Sequence, residues 1–301
     1  MKTVVLAGGT GGAKLAEGFQ SMLSPGDLTV IANTADDDEF WGLLVCPDVD
    51  ASIYRLAGVF DDAAGYGQKG DTFHTLEALG RLGEATWFRI GDRDLATHML
   101  RATMLDAGCR LTETSLELCR RFRVSTRVLP MTDDKVRTRF VTEQGSMSFQ
   151  EYFVRERLRP VLLEIDMTGG SLAQPSPEVN AALAEADLVV IGPSNPLISI
   201  SPILQVVGPR LHRERTVAVT PIVAGAALKG PTVEMLRAVG SEASPIAIAH
   251  TYRHVAGKFV LDMRDSGLAP EIAALGYQVI VCDTVMSDGA AGLAKAILDA
   301  F

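Results

Sequence analysis

The N-terminal stretch that decides the fold class reads Thr3-Val4-Val5-Leu6-Ala7-Gly8-Gly9-Thr10-Gly11-Gly12-Ala13-Lys14-Leu15. Its first five residues are apolar and rich in β-branched side chains, which is typical of a buried strand. Leu15, Phe19 and Met22 then follow at helical spacing. A strand, a glycine loop and a helix in this order predict the first unit of an α/β sheet, in which backbone N–H groups and a helix N-terminus can bind phosphate.

The glycine loop at residues 8–12 differs from two common phosphate-binding patterns. Its spacing is neither G-x-G-x-x-G nor G-x-x-x-x-G-K-[ST], because Lys14 follows an alanine and precedes a leucine. Glycine nevertheless permits positive φ angles and a close approach of the backbone to a ligand. The loop therefore predicts a phosphate site, and a tight turn without a ligand remains the alternative.

An acidic stretch from Asn33 to Asp50 follows the second apolar run, residues 28–32. Its acidic members are Asp36, Asp37, Asp38, Glu39, Asp48 and Asp50. Ligands of an open parallel sheet bind beyond the carboxyl ends of the strands. Carboxylates crowded there repel each other, so a divalent cation, a polyol hydroxyl or a cationic partner would explain them. A solvated loop that also begins a helix is the alternative.

Composition and charge exclude several classes of protein. The chain has 301 residues, of which 47% are hydrophobic and 22% charged, as in ordinary globular proteins. The net charge of −9 argues against nucleic acid as the main partner. Four scattered cysteines without a C-x-x-C pair favour free thiols in a reducing cytoplasm over a zinc site or disulfides. No segment approaches the roughly 20 apolar residues that span a bilayer, so we expect no membrane association.

A second polar cluster reads Gly91-Asp92-Arg93-Asp94-Leu95-Ala96-Thr97-His98 and follows a predicted short strand at residues 87–90. Four polar side chains share one face of the predicted helix because they lie three or four positions apart: Asp94, Thr97, His98 and Arg101. This stripe is a candidate for the functional site. The alternative is a helix cap by Asp92 together with an intrahelical pair between Asp94 and His98.

The predicted elements divide the chain into a parallel part and an insertion. Residues 1–60 and 160–301 alternate between strands and helices, which predicts a nucleotide-binding α/β domain with a Rossmann-like, mostly parallel sheet and flanking helices. Residues 61–159 break this alternation and predict a smaller, mainly helical inserted region that completes the active-site cleft. Within it, a hairpin around Gln144-Gly145 and a helix at residues 150–158 are expected.

The predicted strands of the parallel sheet end in polar or glycine-rich loops. A strand at residues 161–165 is expected to resume the sheet after the insertion. The strand ends expected on one carboxyl edge of the sheet are at Gly8, Asn33, Gly192 and Pro221. Side chains that follow these positions are therefore candidates for one shared site.

Six motifs occur in order along nearly the whole chain. They are Gly8-Gly9-Thr10-Gly11-Gly12-Ala13-Lys14-Leu15, Asn33-Thr34-Ala35-Asp36-Asp37, Pro47-Asp48-Val49-Asp50, Gly91-Asp92-Arg93-Asp94-Leu95-Ala96-Thr97-His98, Leu129-Pro130-Met131-Thr132-Asp133-Asp134 and Gly192-Pro193-Ser194-Asn195-Pro196. As a set they resemble the 2-phospho-L-lactate transferase family of deazaflavin coenzyme F-420 biosynthesis. Each motif is weak alone, but their combination in this order is specific.

The resemblance implies a transferase and its substrates. The acceptor would be the ribityl chain of 7,8-didemethyl-8-hydroxy-5-deazariboflavin. The donor would be a guanosine diphosphate that carries lactate or enolpyruvate on its terminal phosphate. The terminal hydroxyl of the acceptor would attack that phosphorus, GMP would leave, and Mg²⁺ would be the cofactor. A homodimer is the default expectation for such a protein.

The matched motifs also imply roles for individual residues. The nucleotide-binding set is Gly9, Thr10, Gly11, Gly12, Lys14, Gly192, Ser194, Asn195, Pro196 and Lys229. The acceptor-binding set is Asn33, Asp36, Asp50, Arg89, Asp92 and His98. The candidate Mg²⁺ ligands are Asp36, Asp37, Asp48 and Asp50. The catalytic candidates are Asp48 and Asp50, one of which would accept the attacking proton, and Arg93, since arginine suits contacts with oxyanions.

Two other functions stay open at this level. A non-enzymatic regulator of cell-wall metabolism in the same superfamily, which binds UDP-sugars, resembles this chain in the glycine loop and at residues 192–196. It lacks the helix start Asp92-Arg93-Asp94 in this form. A nucleotide-cofactor oxidoreductase is disfavoured by the glycine spacing, and by an acidic cluster where a single ribose-binding acid is expected.

Overall fold

The computed structural model describes residues 1–228, 230–287 and 289–301. Its strands are β1 (Thr3–Ala7), β2 (Leu28–Ala32), β3 (Asp38–Phe40), β4 (Leu43–Val45), β5 (Arg127–Pro130), β6 (Arg137–Thr142), β7 (Gly145–Ser148), β8 (Leu162–Thr168), β9 (Leu188–Ile191), β10 (Thr216–Val219), β11 (Ile222–Val223), β12 (Ala226–Ala227), β13 (Lys258–Asp262) and β14 (Gln278–Cys282).

The helices connect these strands and cover the sheet. The α-helices are α1 (Gly9–Gln20), α2 (Pro47–Leu56), α3 (His74–Arg81), α4 (Asp92–Asp106), α5 (Leu111–Arg121), α6 (Pro177–Glu185), α7 (Ser201–Val207), α8 (Thr232–Ala238), α9 (Pro245–Tyr252), α10 (Ala269–Ala274) and α11 (Ala291–Leu298). Short π-helical segments cover Glu151–Arg155 and Pro196–Ile200, and 3₁₀ turns cover Gly208–Arg210, Arg213–Arg215 and Met263–Leu268.

A central parallel sheet organises the described part of the chain. It has seven strands in the order β14-β13-β10-β9-β1-β2-β5. Every neighbouring pair is parallel, and β1 lies between β2 and β9. The chain therefore builds outward from β1 in two directions, and the strand order reverses between β1 and β9. A reversal of this kind opens a crevice at the carboxyl ends of the strands, where ligands bind.

Alternate residues of each strand enter two hydrophobic cores, one on each face of the sheet. Leu6, Ile31 and Ile191 belong to the core under α6, α7 and α9. Val5 and Val30 belong to the core under α1, α2 and α11. Strands that are buried on both faces read as continuous apolar runs, which is why these strands were visible in the sequence. The α/β, Rossmann-like expectation and the shared carboxyl edge are confirmed.

The strand predicted at residues 161–165 exists, but the prediction that it belongs to the central sheet is wrong. The chain does extend there, as β8, but it pairs antiparallel with β6 in a separate sheet of order β7-β6-β8. The reason is the local packing, because Leu162 and Ile165 join a small cluster with Phe140 and Tyr152 instead of the main core. The hairpin predicted around Gln144-Gly145 is confirmed, since β6 and β7 pair antiparallel across it.

Other predictions in the inserted region are corrected as well. Residues 87–90 form no strand, and Trp87 and Phe88 contact Phe40 through their rings. The helix expected at residues 150–158 shortens to the π-helical segment Glu151–Arg155. The last strand of the central sheet, β5, falls inside the range 61–159, and the division into domains stays a prediction. Among the described residues, no helix has the length and apolarity needed to cross a membrane.

Candidate functional site

A cavity of about 540 Å³ opens at the carboxyl edge of the sheet, beside the reversal of strand order. Three kinds of residues line it. The first kind, which we call the glycine wall, consists of residues 8–11 and 193–195. The second, the aromatic wall, consists of Trp87, Phe88, Phe149 and Phe153. The third consists of carboxylates and their neighbour His98: Asp36, Asp48, Asp50 and Asp94.

The glycine wall brings two stretches of main chain into close contact. Helix α1 begins at Gly9, so β1 runs into it without a separate loop. The Gly8 N–H donates a hydrogen bond to Ser194 Oγ at 3.2 Å. A Cβ atom on Gly11 would lie 2.6 Å from the Pro193 carbonyl oxygen, so any other residue at this position would clash with it. The first-turn N–H groups of α1 have no partner within the helix and suit an anion.

Only part of the predicted nucleotide set lies in this wall. Its members in the cavity are Gly9, Thr10, Gly11, Ser194 and Asn195. Gly12, Gly192 and Pro196 are buried behind it. Lys14 is outside the cavity too, and its Nζ donates to the Met286 carbonyl oxygen at 2.5 Å. Lys229 lies outside the described residues.

Asp48 is held by backbone and amide groups. Its Oδ1 accepts a hydrogen bond from the Gly9 N–H, and its Oδ2 accepts one from Asn33 Nδ2 at 2.9 Å. Burial raises the pKa of Asp48 to about 6, although these two hydrogen bonds act in the opposite direction. Asn33, predicted to bind the acceptor, is buried outside the cavity wall and instead orients Asp48.

Asp36 and Asp37 are buried, so their interpretation as a solvated loop that begins a helix is wrong. The chain continues from them into the hairpin formed by β3 and β4. Burial, and then repulsion from Asp48, raises the pKa of Asp36 well above its usual value. Burial raises the pKa of Asp37 to about 8, against the opposing charge of Arg137. Of the two, only Asp36 lines the cavity.

Asp50 lies two positions after Asp48 but has different partners. It is buried in the first turn of α2, and its Oδ1 is hydrogen-bonded and ion-paired to Arg101 Nη2. Its Oδ2 lies 3.6 Å from His98 Nδ1 and has no hydrogen-bond partner among the described residues. One oxygen of Asp50 is therefore fixed and the other is free to accept a hydrogen bond.

The polar stripe on α4 faces this carboxylate. Thr97, His98 and Arg101 are buried. His98 Nε2 lies 3.4 Å from Asp94 Oδ1, which accepts a hydrogen bond from the Tyr54 hydroxyl at 2.7 Å. Burial alone would raise the pKa of Asp94, but its contacts with His98 and Tyr54 outweigh burial and lower it. The pair between Asp94 and His98 is thus present and belongs to the cavity.

Asp92 and Arg93, from the motif at residues 91–98, make structural contacts instead. Asp92 caps α3, because its carboxylate accepts hydrogen bonds from the Thr72 hydroxyl at 2.6 Å and from the His74 N–H at 3.0 Å. Arg93 is exposed, and its Nη1 donates to the Lys69 carbonyl oxygen at 2.9 Å. Neither residue lines the cavity. Arg89 does line it, with its guanidinium 4.3 Å from the centre of the Phe73 ring.

The four candidate metal ligands do not form one cluster. Among the described residues, no group of three or more His, Cys, Asp or Glu side chains could hold a metal ion. Asp50 is paired with Arg101, and Asp37 lies outside the cavity wall. Asp36 and Asp48 are left, both buried at the cavity and mutually repelling. Two carboxylates suit Mg²⁺ when substrate phosphates supply further ligands.

The aromatic wall was not predicted from the sequence. The Phe88 ring stacks on Phe40 with centroids 4.0 Å apart, and Phe149 stacks on Phe153 at 5.4 Å. The Arg155 guanidinium, from the same π-helical segment as Phe153, lies 5.5 Å from the centre of the Trp87 ring. Aromatic residues are only 6% of the chain. The adjacent pair Trp87-Phe88, close before the polar motif at residues 91–98, was therefore the available signal. Flat, apolar faces of this kind suit a planar ring.

A family model described as 2-phospho-L-lactate transferase CofD matches residues 3–283. The chain belongs to this family. The resemblance drawn from the six motifs is thereby confirmed, and with it the expectation of a transferase. Membership of the CofD family argues against the nucleotide-cofactor oxidoreductase considered from the sequence.

Named relatives of this CofD protein fall into two groups. The chain is 37% identical, over 286 residues, to the 2-phospho-L-lactate transferase of Methanosarcina barkeri, with 94% of this chain and 93% of that protein covered. It is 39% identical, over 305 residues, to the phosphoenolpyruvate transferase of Thermobifida fusca, with 96% and 93% covered. Sequence identity therefore does not choose between the two donors that these names imply.

Solved structures support the fold of the CofD chain. A member of the UPF0052 family from Bacillus halodurans superposes with a TM-score of 0.62 over 98% of both chains. The sequence identity is 18%, so this likeness concerns the fold alone. It agrees with the parallel α/β sheet described above.

Proposed function

We propose that this CofD family member transfers a 2-phospholactyl or enolpyruvyl-phosphate group in coenzyme F-420 biosynthesis. The donor is linked to guanosine diphosphate, the acceptor is the ribityl hydroxyl of 7,8-didemethyl-8-hydroxy-5-deazariboflavin, and GMP is released. One observation carries this proposal: a single cavity combines first-turn amides of a helix, buried carboxylates and flat aromatic side chains. A diphosphate, an attacking hydroxyl and a planar ring require these three surfaces.

The donor is assigned to the glycine wall. Transfer of a substituted phosphate depends mainly on positioning and on neutralising charge, and backbone amides do both without a covalent step. The amides of Thr10 and Gly11 would contact the diphosphate, since the Gly9 N–H already donates to Asp48 Oδ1. Ser194 and Asn195 lie on the neighbouring strand end and, with residues 230–232, would contact the guanosine end.

The acceptor is assigned to the aromatic wall. The deazaflavin ring is planar and would stack on one of the aromatic side chains that line the same cavity, Trp87, Phe88, Phe149 or Phe153. Arg89 lines the cavity beside them and would contact the acceptor or the transferred phosphate. The ribityl chain would then extend toward Asp50.

Asp50 is the better of the two candidate bases. Both oxygens of Asp48 already accept hydrogen bonds, from Gly9 and Asn33, whereas Asp50 Oδ2 has no partner among the described residues. In the proposed step the acceptor oxygen forms a bond to the terminal phosphorus. The anhydride bond to GMP breaks, GMP takes the electron pair, and the hydroxyl proton passes to Asp50 Oδ2.

Mg²⁺ remains part of the proposal, with Asp36 and Asp48 as the residues that would hold it. Burial raises the pKa of both carboxyl groups, so a cation would offset an unfavourable concentration of charge. When bound, Mg²⁺ would neutralise charge on the donor diphosphate. The homodimer and the cytoplasmic location stay predictions.

A binding experiment separates this function from the nucleotide-sensing alternative. GDP and a UDP-sugar are each titrated against the purified protein with Mg²⁺, with and without the deazariboflavin. The proposal expects GDP to bind and the visible absorbance of the acceptor to shift on addition of protein. Binding of the UDP-sugar without binding of the acceptor would contradict it and favour the regulator.

A further inference from the structure

Arg101 lies behind the cavity rather than in its wall. It is among the largest fully buried side chains of the described residues, with 1% of its surface exposed. It comes from the third turn of α4 and is absent from the cavity lining. An arginine that is buried beside a cavity carboxylate, but is absent from the cavity wall, acts on the reaction through the side chains that it contacts.

Three contacts fix the guanidinium in place. Its Nη2 binds Asp50 Oδ1. Its Nη1 donates to the Leu44 carbonyl oxygen at 3.1 Å and lies 3.2 Å from His98 Nδ1. These partners belong to α2, β4 and α4, so the guanidinium connects three elements at one point. The two Nη atoms of the planar guanidinium can make these contacts at the same time, and the single Nζ of a lysine cannot.

These contacts affect the orientation of the Asp50 carboxylate. Arg101 holds Oδ1 by a hydrogen bond and an ion pair, and Oδ2, 3.6 Å from His98 Nδ1, is the oxygen left without a hydrogen-bond partner among the described residues. Asp50 itself lines the cavity, although Arg101 does not. Oδ2 is therefore the oxygen of Asp50 with hydrogen-bonding capacity left for an incoming hydroxyl, although that atom itself is buried.

We propose that Arg101 is a positioning residue for the transfer step: it holds Asp50 so that Oδ2 meets the attacking hydroxyl of the acceptor, and it touches neither substrate. This inference rests on the proposed function. A merely structural arginine would affect stability and all ligands alike, whereas a positioning residue affects the acceptor-dependent rate and leaves nucleotide binding unchanged.

The variant Arg101→Lys tests this directly. It keeps the charge but loses the planar guanidinium, and we expect kcat for transfer to fall about 100-fold, as for small misplacements of a reacting group. GDP affinity and the far-ultraviolet circular dichroism spectrum should stay as in the wild type. Unchanged kcat in the folded variant, or a parallel loss of GDP affinity, would overturn the proposal.

Arg55→Lys is the matched control. Arg55 is similarly buried, lies on the same helix as Asp50, and pairs with Glu17 and Asp62. We expect the kcat of Arg55→Lys to stay within about twofold of the wild type, because Arg55 forms its ion pairs with Glu17 and Asp62 and not with Asp50. A loss in Arg55→Lys equal to that in Arg101→Lys would mean a general effect of buried arginines and would overturn the assignment.

A crystal structure of the wild-type protein with GDP and the acceptor tests the same point without a variant. The proposal requires the terminal ribityl hydroxyl within hydrogen-bond distance of Asp50 Oδ2, with Arg101 still on Oδ1. A hydroxyl bound to Asp48 would overturn it. If the wild type transfers nothing, the proposed function fails and this inference with it. If the wild type transfers and Arg101→Lys does so equally well, only the inference fails.

Discussion

The two walls of the cavity are built in different ways. The glycine wall is main chain placed by the parallel sheet, because Gly8 follows β1 and Pro193 follows β9, its hydrogen-bonded neighbour. The aromatic wall is made of side chains from segments with little regular structure. Trp87 and Phe88 lie between α3 and α4, and Phe149 and Phe153 lie in or just before a short π-helical segment.

Main chain and side chains would select the two substrates in different ways. Backbone amides at a helix N-terminus bind phosphate whatever group it carries, so the glycine wall suits either donor. Aromatic faces select a ring by its shape and flatness. Under the proposed function, changes in the glycine wall should affect the nucleotide, changes in the aromatic wall should affect the acceptor, and changes at Asp50 should affect only the transfer between them.

Asp50→Asn is the change with the largest expected effect. The amide retains the shape of the side chain but cannot take up the proton, so we expect kcat to fall by about 10²–10⁴-fold, the usual contribution of a general base. GDP affinity should be unchanged, because Asp50 contacts Arg101 and not the glycine wall. Calorimetric titration with GDP beside a transfer assay would check both, and an equal loss of GDP affinity would contradict the division of the cavity.

Gly11→Ala should affect the nucleotide next most strongly. The added Cβ would lie 2.6 Å from the Pro193 carbonyl oxygen, so one stretch of the glycine wall must move. We expect a stability loss of about 1–3 kcal/mol, typical of overpacking, and a weaker GDP complex with an unchanged acceptor complex. Gly292→Ala is the control, since no atom of the described residues lies within 4 Å of its added Cβ. Tighter or equal GDP binding in Gly11→Ala would refute the assignment.

Trp87→Ala should have a smaller effect, on the acceptor alone. An aromatic pair contributes about 0.5–1.5 kcal/mol beyond its buried area, so the acceptor KM should rise roughly 3- to 10-fold at constant GDP affinity. The chain has two tryptophans, and Trp41, on the hairpin turn outside the cavity wall, supplies the control variant Trp41→Ala. An acceptor KM that changes equally in both variants would show that Trp87 does not contact the ring.

Asp92→Asn should have the smallest effect on catalysis. Hydrogen bonds from Thr72, Thr75 and His74 lower the pKa of Asp92, so its carboxylate acts as the cap of α3. We expect a lower melting temperature, while kcat and both substrate affinities stay within twofold of the wild type. A rise in acceptor KM without a change in melting temperature would restore the role in acceptor binding that the motif first implied.

The same division explains what the sequence could predict. A strand, a glycine turn and a helix are signals within about 20 residues, so Gly9, Thr10 and Gly11 could be assigned to the cavity edge from spacing alone. The contact between Asp50 and Arg101 joins residues 51 positions apart. Hydrophobic periodicity carries no information about such a contact, although the helical spacing of the stripe on α4 did include Arg101.

The errors also come from contacts between distant segments. Asp92 stands at the start of its own helix, where an acid usually acts locally, but its carboxylate accepts hydrogen bonds from Thr72 and from the first residues of α3. Residues 161–165 are apolar enough for the central sheet, yet the edge of β6 is their partner. In both cases the local pattern predicted the right type of feature, a helix cap or a strand. The segment that it contacts was not predictable from that pattern.

The central claim is that one cavity binds a guanosine-diphosphate-linked donor and a deazariboflavin acceptor for transfer. The most direct measurement incubates the protein and Mg²⁺ with the acceptor and, in turn, the lactate-bearing and the enolpyruvate-bearing donor, and quantifies GMP and the acceptor product by mass spectrometry. We expect GMP and the phosphodiester product in equal amounts from at least one donor, and only when acceptor is present. No product from either donor, or GMP released equally without acceptor, would contradict it.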